Sequence, residues 1–195
     1  MSPSAQDHNA QGPRIGPRVP IYENQHQKIS RVRVDFEGYS KEIYVNDTGA
    51  RAGVLFLHEE KVLLVRQFRY LTRDLAWEIP GGRVDDHESI EAAATREAFE
   101  ETGLHCLSMS PLVSYIPGLD CSDNPTHIFL CTEFEEVLNS DDQHDPNEIA
   151  DFSWLPFREC LRMIFEKRIL DSMTITALLA CHAARSLPDL DSVRK

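Results

Sequence analysis

Residues 82–104 read GRVDDHESIEAAATREAFEETGL, with Pro80 and Gly81 leading in, and the rest of the chain is organised around their spacing. Ser89 is a natural helix N-cap, Ile90 to Thr102 contain neither Gly nor Pro, and Gly103 suits the left-handed position that ends a helix. The stretch reads as loop, helix, loop. At roughly 100° per residue, Ile90, Ala94, Glu97, Glu100 and Glu101 fall within about 120° of one another, so three carboxylates share one helical face.

Like charges three and four residues apart repel, and the C-terminal end of a helix is the wrong pole for anions; each contact costs a few tenths of a kcal/mol. A hard divalent cation would offset that cost, because Mg²⁺ takes one or two carboxylates, keeps some of its waters and accepts substrate phosphate oxygens. Arg96, beside the cluster, offers a guanidinium able to hold one acid in a bidentate pair. Taken alone, the acidic run leaves a second reading open, a helix whose charges are simply solvated.

The wider spacing decides between them. Glu88 follows Gly82 by six, Arg96-Glu97 stand eight further on, and Ala98, Glu100-Glu101, Gly103 and Leu104 complete the pattern. This resembles the Nudix box at every fixed position. The resemblance implies an α+β protein, a Nudix α/β/α sandwich with a mixed central sheet, that hydrolyses a nucleoside diphosphate linked to another moiety with Mg²⁺ or Mn²⁺. It implies metal ligation by Glu97, Glu100, Glu101 and the Gly81 carbonyl, with Glu100 and Glu101 serving catalysis. Gly82, Glu88, Arg96 and Gly103 would be structural members of the motif, Glu88 and Arg96 bracing the loop against the helix.

Length fits one domain of about 150 residues with an added N-terminal segment. No apolar run approaches the roughly 20 residues of a membrane span, and residues 1–19, rich in Pro, Gly, Gln and Ser, read as a disordered lead without a signal sequence. Five cysteines without a CxxC pair point to free thiols in a reducing compartment, so the expected location is the cytoplasm. A net charge of −12 opposes binding to nucleic acid or an anionic membrane. That charge argues against an RNA-processing hydrolase, and the intact set of carboxylates argues against a noncatalytic nucleotide-sugar sensor.

From Ile29 the chain alternates, with Val32 and Val34 against Arg31, Arg33 and Asp35, then Gly38, then Ile43 and Val45. Residues 20–49 are thus a β-hairpin segment. Two strands are marginal alone, so this segment must pack on the main domain as an edge hairpin or on a second subunit, and similar ADP-ribose and ADP-sugar pyrophosphatases often exchange theirs across a homodimer. The main domain is expected over 50–187, with a tail over 188–195. Ala52 to Leu57 and Val62 to Val65 are apolar strands around a polar turn, followed by Arg66-Gln67-Phe68-Arg69-Tyr70, which reads as a pocket wall.

In the similar ADP-ribose pyrophosphatases a QxR run supplies a diphosphate-binding arginine, the position of Arg69, with Arg66 and Phe68 as neighbouring substrate contacts. The run Trp77-Glu78-Ile79-Pro80-Gly81-Gly82 is similar to the same subgroup, where such a glutamate, here Glu78, lies near the nucleotide. Leu112 to Tyr115 reads as a short strand and Thr126 to Thr132 as a core strand. Pro117-Gly118 matches the PGxSxE-like loop of ADP-ribose hydrolases only in part, because Asp123-Asn124 replaces its acid. The loop before Ile149 to Pro156 commonly carries the base in this family, which points to Glu148, with Asp145 and Asp120 behind it. Helices are expected from Phe157 to Lys167 and from Asp171 or Ser172 to Ala184. The substrate expected from the resemblance is ADP-ribose or an ADP-sugar, with GDP-mannose, NADH, another nucleotide sugar or a coenzyme A derivative as alternatives.

Overall fold

The computed structural model describes residues 12–136 and 149–186, which fall into two compact units. The first comprises residues up to Thr48 together with Gly118–Asp123. Its strands are β1 (Arg14–Ile15), β2 (Val19–Glu23), β3 (Lys28–Phe36), β4 (Tyr39–Asp47) and a two-residue strand, Ser122–Asp123. The alternation seen in the sequence is realised in β3, where Ser30, Val32 and Val34 are buried and Arg31 and Arg33 exposed. β3 and β4 pair antiparallel through a two-residue Glu37-Gly38 loop, with Gly38 at φ 89° and the Phe36 and Tyr39 rings stacked at 4.8 Å across it.

Two expectations change in this unit. Arg14–Ile15 and Val19 are strand rather than part of a disordered lead: β1 and β2 both pair with the edge of β3 that β4 leaves open, and between them the Gly16 amide donates to the Arg33 carbonyl at 2.8 Å. An unpaired strand edge supplies the hydrogen bonds that this Pro- and Gly-rich composition cannot make locally. Gly118–Asp123, expected in the main domain, also belongs here: Ser122–Asp123 runs parallel to Asn46–Asp47, and Arg18 pairs with Asp123 at 2.6 Å.

In the second unit β5 (Arg51–His58) and β6 (Lys61–Arg69) meet only at Leu57–Val62 and His58–Lys61, around a turn whose residues Glu59 and Glu60 both take positive φ. Beyond those rungs the strands diverge. β7 (Asp74–Glu78) pairs with β6 and β8 (Gly81–Arg83) with β5, so the chain crosses from one to the other at Ile79-Pro80. Helix α1 (Ile90–Thr102) follows, then β9 (Leu104–Tyr115), the Ser122–Asp123 strand as β10, β11 (Thr126–Glu136) and β12 (Ile149–Pro156). The sheet order is β12-β6-β5-β11-β9, mixed because β11 runs parallel to β5 and antiparallel to β9.

The strands are covered on both faces. Val54, Phe56 and Leu63 pack with Ala93, Ala94 and Ala98 of α1; Leu55, Val62 and Leu64 pack with Phe157 and Met163 of α2 (Phe157–Phe165) and Ala177 and Leu178 of α3 (Ser172–Ser186). This is the α/β/α sandwich expected from the resemblance. Strand β9 is three times the length of the four-residue strand expected at Leu112–Tyr115. It lies at the sheet end and pairs with β11 along its whole length, with register shifts that accommodate Pro111 opposite Phe129. Among the described residues no helix is long and apolar enough to cross a membrane.

Candidate active site

The crossing segment between β7 and β8 is held at three amides. Val54 N–H donates to the Pro80 carbonyl at 2.9 Å, Ile79 N–H to Thr174 Oγ1 at 2.9 Å, and Gly81 N–H to Glu101 Oε2 at 2.9 Å. Thr174 is fully buried, and its hydroxyl and amide both donate to Asp171 Oδ2 at 2.7 Å, which caps α3. Asp171 is one of the two helix starts the sequence offered, but Thr174 did not stand out there, being one polar residue in an apolar helix. Both following glycines sit at close approaches, Gly81 against backbone and Gly82 against the movable carboxylate of Glu97. A Cβ on Gly81 would lie 2.5 Å from the Ala52 carbonyl oxygen, and one on Gly82 would lie 2.4 Å from Glu97 Oε2.

Helix α1 is capped as its sequence predicts: Ser89 Oγ accepts from Ala92 N–H at 3.1 Å, and Gly103, at φ 70°, donates to the Phe99 carbonyl. Alanines on its buried face bring the backbone close to the sheet, which sets Glu97 and Glu101 against Gly82 and Gly81. Arg96 is the hub of the acidic cluster. It holds Glu88 in a two-pronged pair, Nε to Oε1 and Nη2 to Oε2, both at 3.0 Å. Its Nη1 donates to Glu97 Oε1 at 2.9 Å and Glu100 Oε2 at 3.0 Å, and Nη2 reaches the Arg83 carbonyl at 3.1 Å.

Electrostatics follow from this crowding. Burial pushes the Glu101 carboxyl up to about 8 against the Gly81 hydrogen bond, with the charges of Glu97 and Glu78 adding to the rise. Burial also raises Glu97, opposed by Arg96, whereas the guanidinium of Arg96 holds the Glu88 carboxyl low. Arg51, not singled out in the sequence, also lowers Glu97, and its own Nε is buried with no hydrogen-bond partner. Its signal was there to read: an arginine opening an otherwise apolar strand.

Glu78 is buried and lies on the α1 side of the sheet, where Arg69 grips it through Nε at 2.7 Å and Nη2 at 2.5 Å. Arg66 and Phe68, expected beside them, are not. Their register opposite Trp77 and Leu75 puts them on the other face of the β6-β7 ribbon, because side chains alternate along a strand. Glu148 and Asp145 lie outside the described residues, and Asp120 belongs to the first unit.

The donor set suits a hard cation: carboxylates at 97, 100 and 101, a glycine backbone at 81, and all oxygen. Among the described residues no three acidic, His or Cys side chains already converge as a ligand group, since Arg96 engages Glu97 and Glu100 while the Gly81 amide engages Glu101. Cation binding would draw these carboxylates off those partners and replace the Glu101 proton. Three results are expected. In EDTA, resistance to urea falls as pH rises from 5 toward 8, because the folded chain keeps the Glu101 proton that the unfolded chain releases near pH 4.5. Added Mg²⁺ raises the urea midpoint more at pH 8 than at pH 6, and a flat profile in EDTA would contradict a buried Glu101. Gly82→Ala pushes the Glu97 carboxylate aside and lowers turnover by some tens-fold with a small change in stability, as kinetics and urea melts of the variant will show.

A family model described as NUDIX domain matches residues 47–173. The methanol dehydrogenase activator of Bacillus methanolicus is 32% identical over 139 residues, 71% of this chain and 75% of that protein. The ADP-ribose pyrophosphatase of Bacillus subtilis (strain 168) is 27% identical over 139 residues, with the same coverage of 71% and 75%. A crystal structure of an ADP compounds hydrolase superimposes with a TM-score of 0.75 over 90% of this chain and 96% of that one; at 16% identity it speaks for the fold alone.

Proposed function

Because the chain belongs to the NUDIX domain family, we propose that it is a divalent-metal-dependent pyrophosphohydrolase whose substrate is ADP-ribose or an ADP-sugar. The observation that carries the reading is the gathering of Glu88, Glu97 and Glu100 around one arginine, with Glu101 buried against the Gly81 amide beside them. Four carboxylates against the guanidiniums of Arg96 and Arg51 leave this locus negative by two when all are ionised (4 − 2 = 2), a poor place for a diphosphate unless a cation intervenes. Glu97, Glu100, Glu101 and the Gly81 carbonyl would hold Mg²⁺ or Mn²⁺, which would supply that charge and acidify a water when bound.

The chain's own groups do the rest. Arg69 spends Nε and Nη2 on Glu78, which leaves Nη1 for a diphosphate oxygen while the guanidinium plane stays fixed. Glu78, whose carboxylate holds that plane, is the group assigned to a nucleoside hydroxyl. Arg96 and Glu88 keep α1 in register with the loop, and Glu148 accepts the proton of the attacking water. Water adds to one phosphorus, the bridging P–O bond breaks, and the bridging oxygen leaves with the other phosphate. ADP-ribose would give AMP and ribose 5-phosphate.

Support for the adenine nucleotide comes from the pyrophosphatase of B. subtilis and from the QxR and WEIPGG runs. The related activator from B. methanolicus carries a different description, so substrate choice is a matter for assay. A panel of ADP-ribose, ADP-sugars, GDP-mannose, NADH and coenzyme A derivatives, with Mg²⁺ or Mn²⁺ and scored by released nucleotide, tests the proposal. ADP-ribose or an ADP-sugar should turn over fastest; a better GDP-mannose or NADH replaces the substrate, and no turnover of any of them ends the hydrolase reading. Homodimerisation through the N-terminal strands belongs to the same proposal, and sedimentation equilibrium tests it.

A further inference from the structure

Arg66 faces α2 and α3, away from the box, and there it meets a second set of cations. Thr72, Asp74 and Trp77 of the β6-β7 hairpin and Lys167 and Arg168 of the turn after α2 surround, with Arg66, a cavity of about 510 Å³. The Arg66 guanidinium lies 4.9 Å from the centre of the Trp77 ring, which fixes its plane, and its Nε is buried with no hydrogen-bond partner. Lys167, held at φ 59°, is exposed, and no ion pair engages its ammonium among the described residues. Arg168 is shared with Glu159 at 3.2 Å and Glu166 at 3.4 Å, neither of which lines the cavity. Asp74 is its one carboxylate, and Oδ1 already accepts the Leu75 amide at 2.7 Å.

Three cations against one carboxylate leave the lining positive by two (3 − 1 = 2) in a chain that carries −12 overall. Such a concentration against the global field is what anion recognition needs. An oriented guanidinium offers a planar fork for phosphate oxygens, and a lysine adds a mobile point charge. We propose that this cavity is an anion site separate from the box, taking a phosphomonoester such as a nucleoside monophosphate. The volume is within the range of small-molecule pockets, and a phosphate oxygen would give Arg66 Nε the acceptor it lacks. The sheet separates this cavity from the α1 face, so the proposal stands whether or not the box hydrolyses diphosphates.

Isothermal titration of AMP into the full chain in EDTA tests it. Lys167→Met and Arg66→Leu should each weaken AMP binding by about tenfold or more, Arg69→Met should leave it intact, and inorganic phosphate should compete. The proposal is overturned if both cavity variants bind like the wild type, if Arg69→Met alone abolishes binding, if phosphate does not compete, or if AMP does not bind at all. Should Arg66→Leu fail to fold, Lys167→Met, altering an exposed side chain, decides the matter by itself.

Discussion

Glu101→Gln should lower Mg²⁺-dependent turnover by about a thousandfold or more while leaving the fold intact. The amide keeps the shape of the side chain and can still accept from Gly81 N–H, so the crossing segment stays in place. What disappears is the charge. A buried carboxyl pushed up to about 8 costs the metal-free protein stability once it ionises, so the variant should resist urea better than the wild type at pH 8 in EDTA. It should also lose most of the stabilisation that Mg²⁺ confers. Full Mg²⁺-dependent activity in this variant would remove the acidic cluster from the mechanism, and unchanged Mg²⁺ stabilisation would remove Glu101 from the ligand set.

Arg96→Met has the second largest expected effect, and it acts on both stability and rate. The methionine preserves much of the aliphatic stem but removes the cation that bridges Glu88, Glu97 and Glu100. The Glu97 side chain is only 17% exposed, so water screens its orphaned charge poorly. Breaking a pair at such a depth should cost about 2–4 kcal/mol, less than a fully buried pair because Arg96 is partly exposed. Turnover should drop by about a hundredfold, the usual penalty for ligands displaced by near 1 Å. Mg²⁺ should recover part of the lost stability, since a divalent ion can take over the neutralising role. A variant that melts and turns over like the wild type would show that Arg96 braces nothing.

Much of this was legible in the chain because its causes are local. Ser89, the Gly- and Pro-free run to Thr102 and Gly103 define α1 by capping and periodicity, and the acids fall on one face as geometry requires. Alternation likewise specified β3 and β4. Other features depended on partners far along the chain. β1 and the start of β2 form only because β3 presents an open edge, and β9 runs from Leu104 because β11 accepts it over eleven residues. Arg66 and Arg69 read as one pocket wall until β7 extends β6 through Arg69, after which the pleat sends them to opposite faces.

The sequence by itself determined the family, the capped acidic helix and the oxygen-rich chemistry at its mouth, since spacing along a helix translates directly into spacing in space. Only the tertiary structure decided what holds that chemistry in place. Thr174 reaches Ile79 from 95 positions away, Glu101 finds the Gly81 amide across the chain crossing, and Arg51 comes to bear on Glu97. Such contacts are products of how the sheet splits between β5 and β6, and no local pattern encodes them because their partners share neither a turn nor a strand.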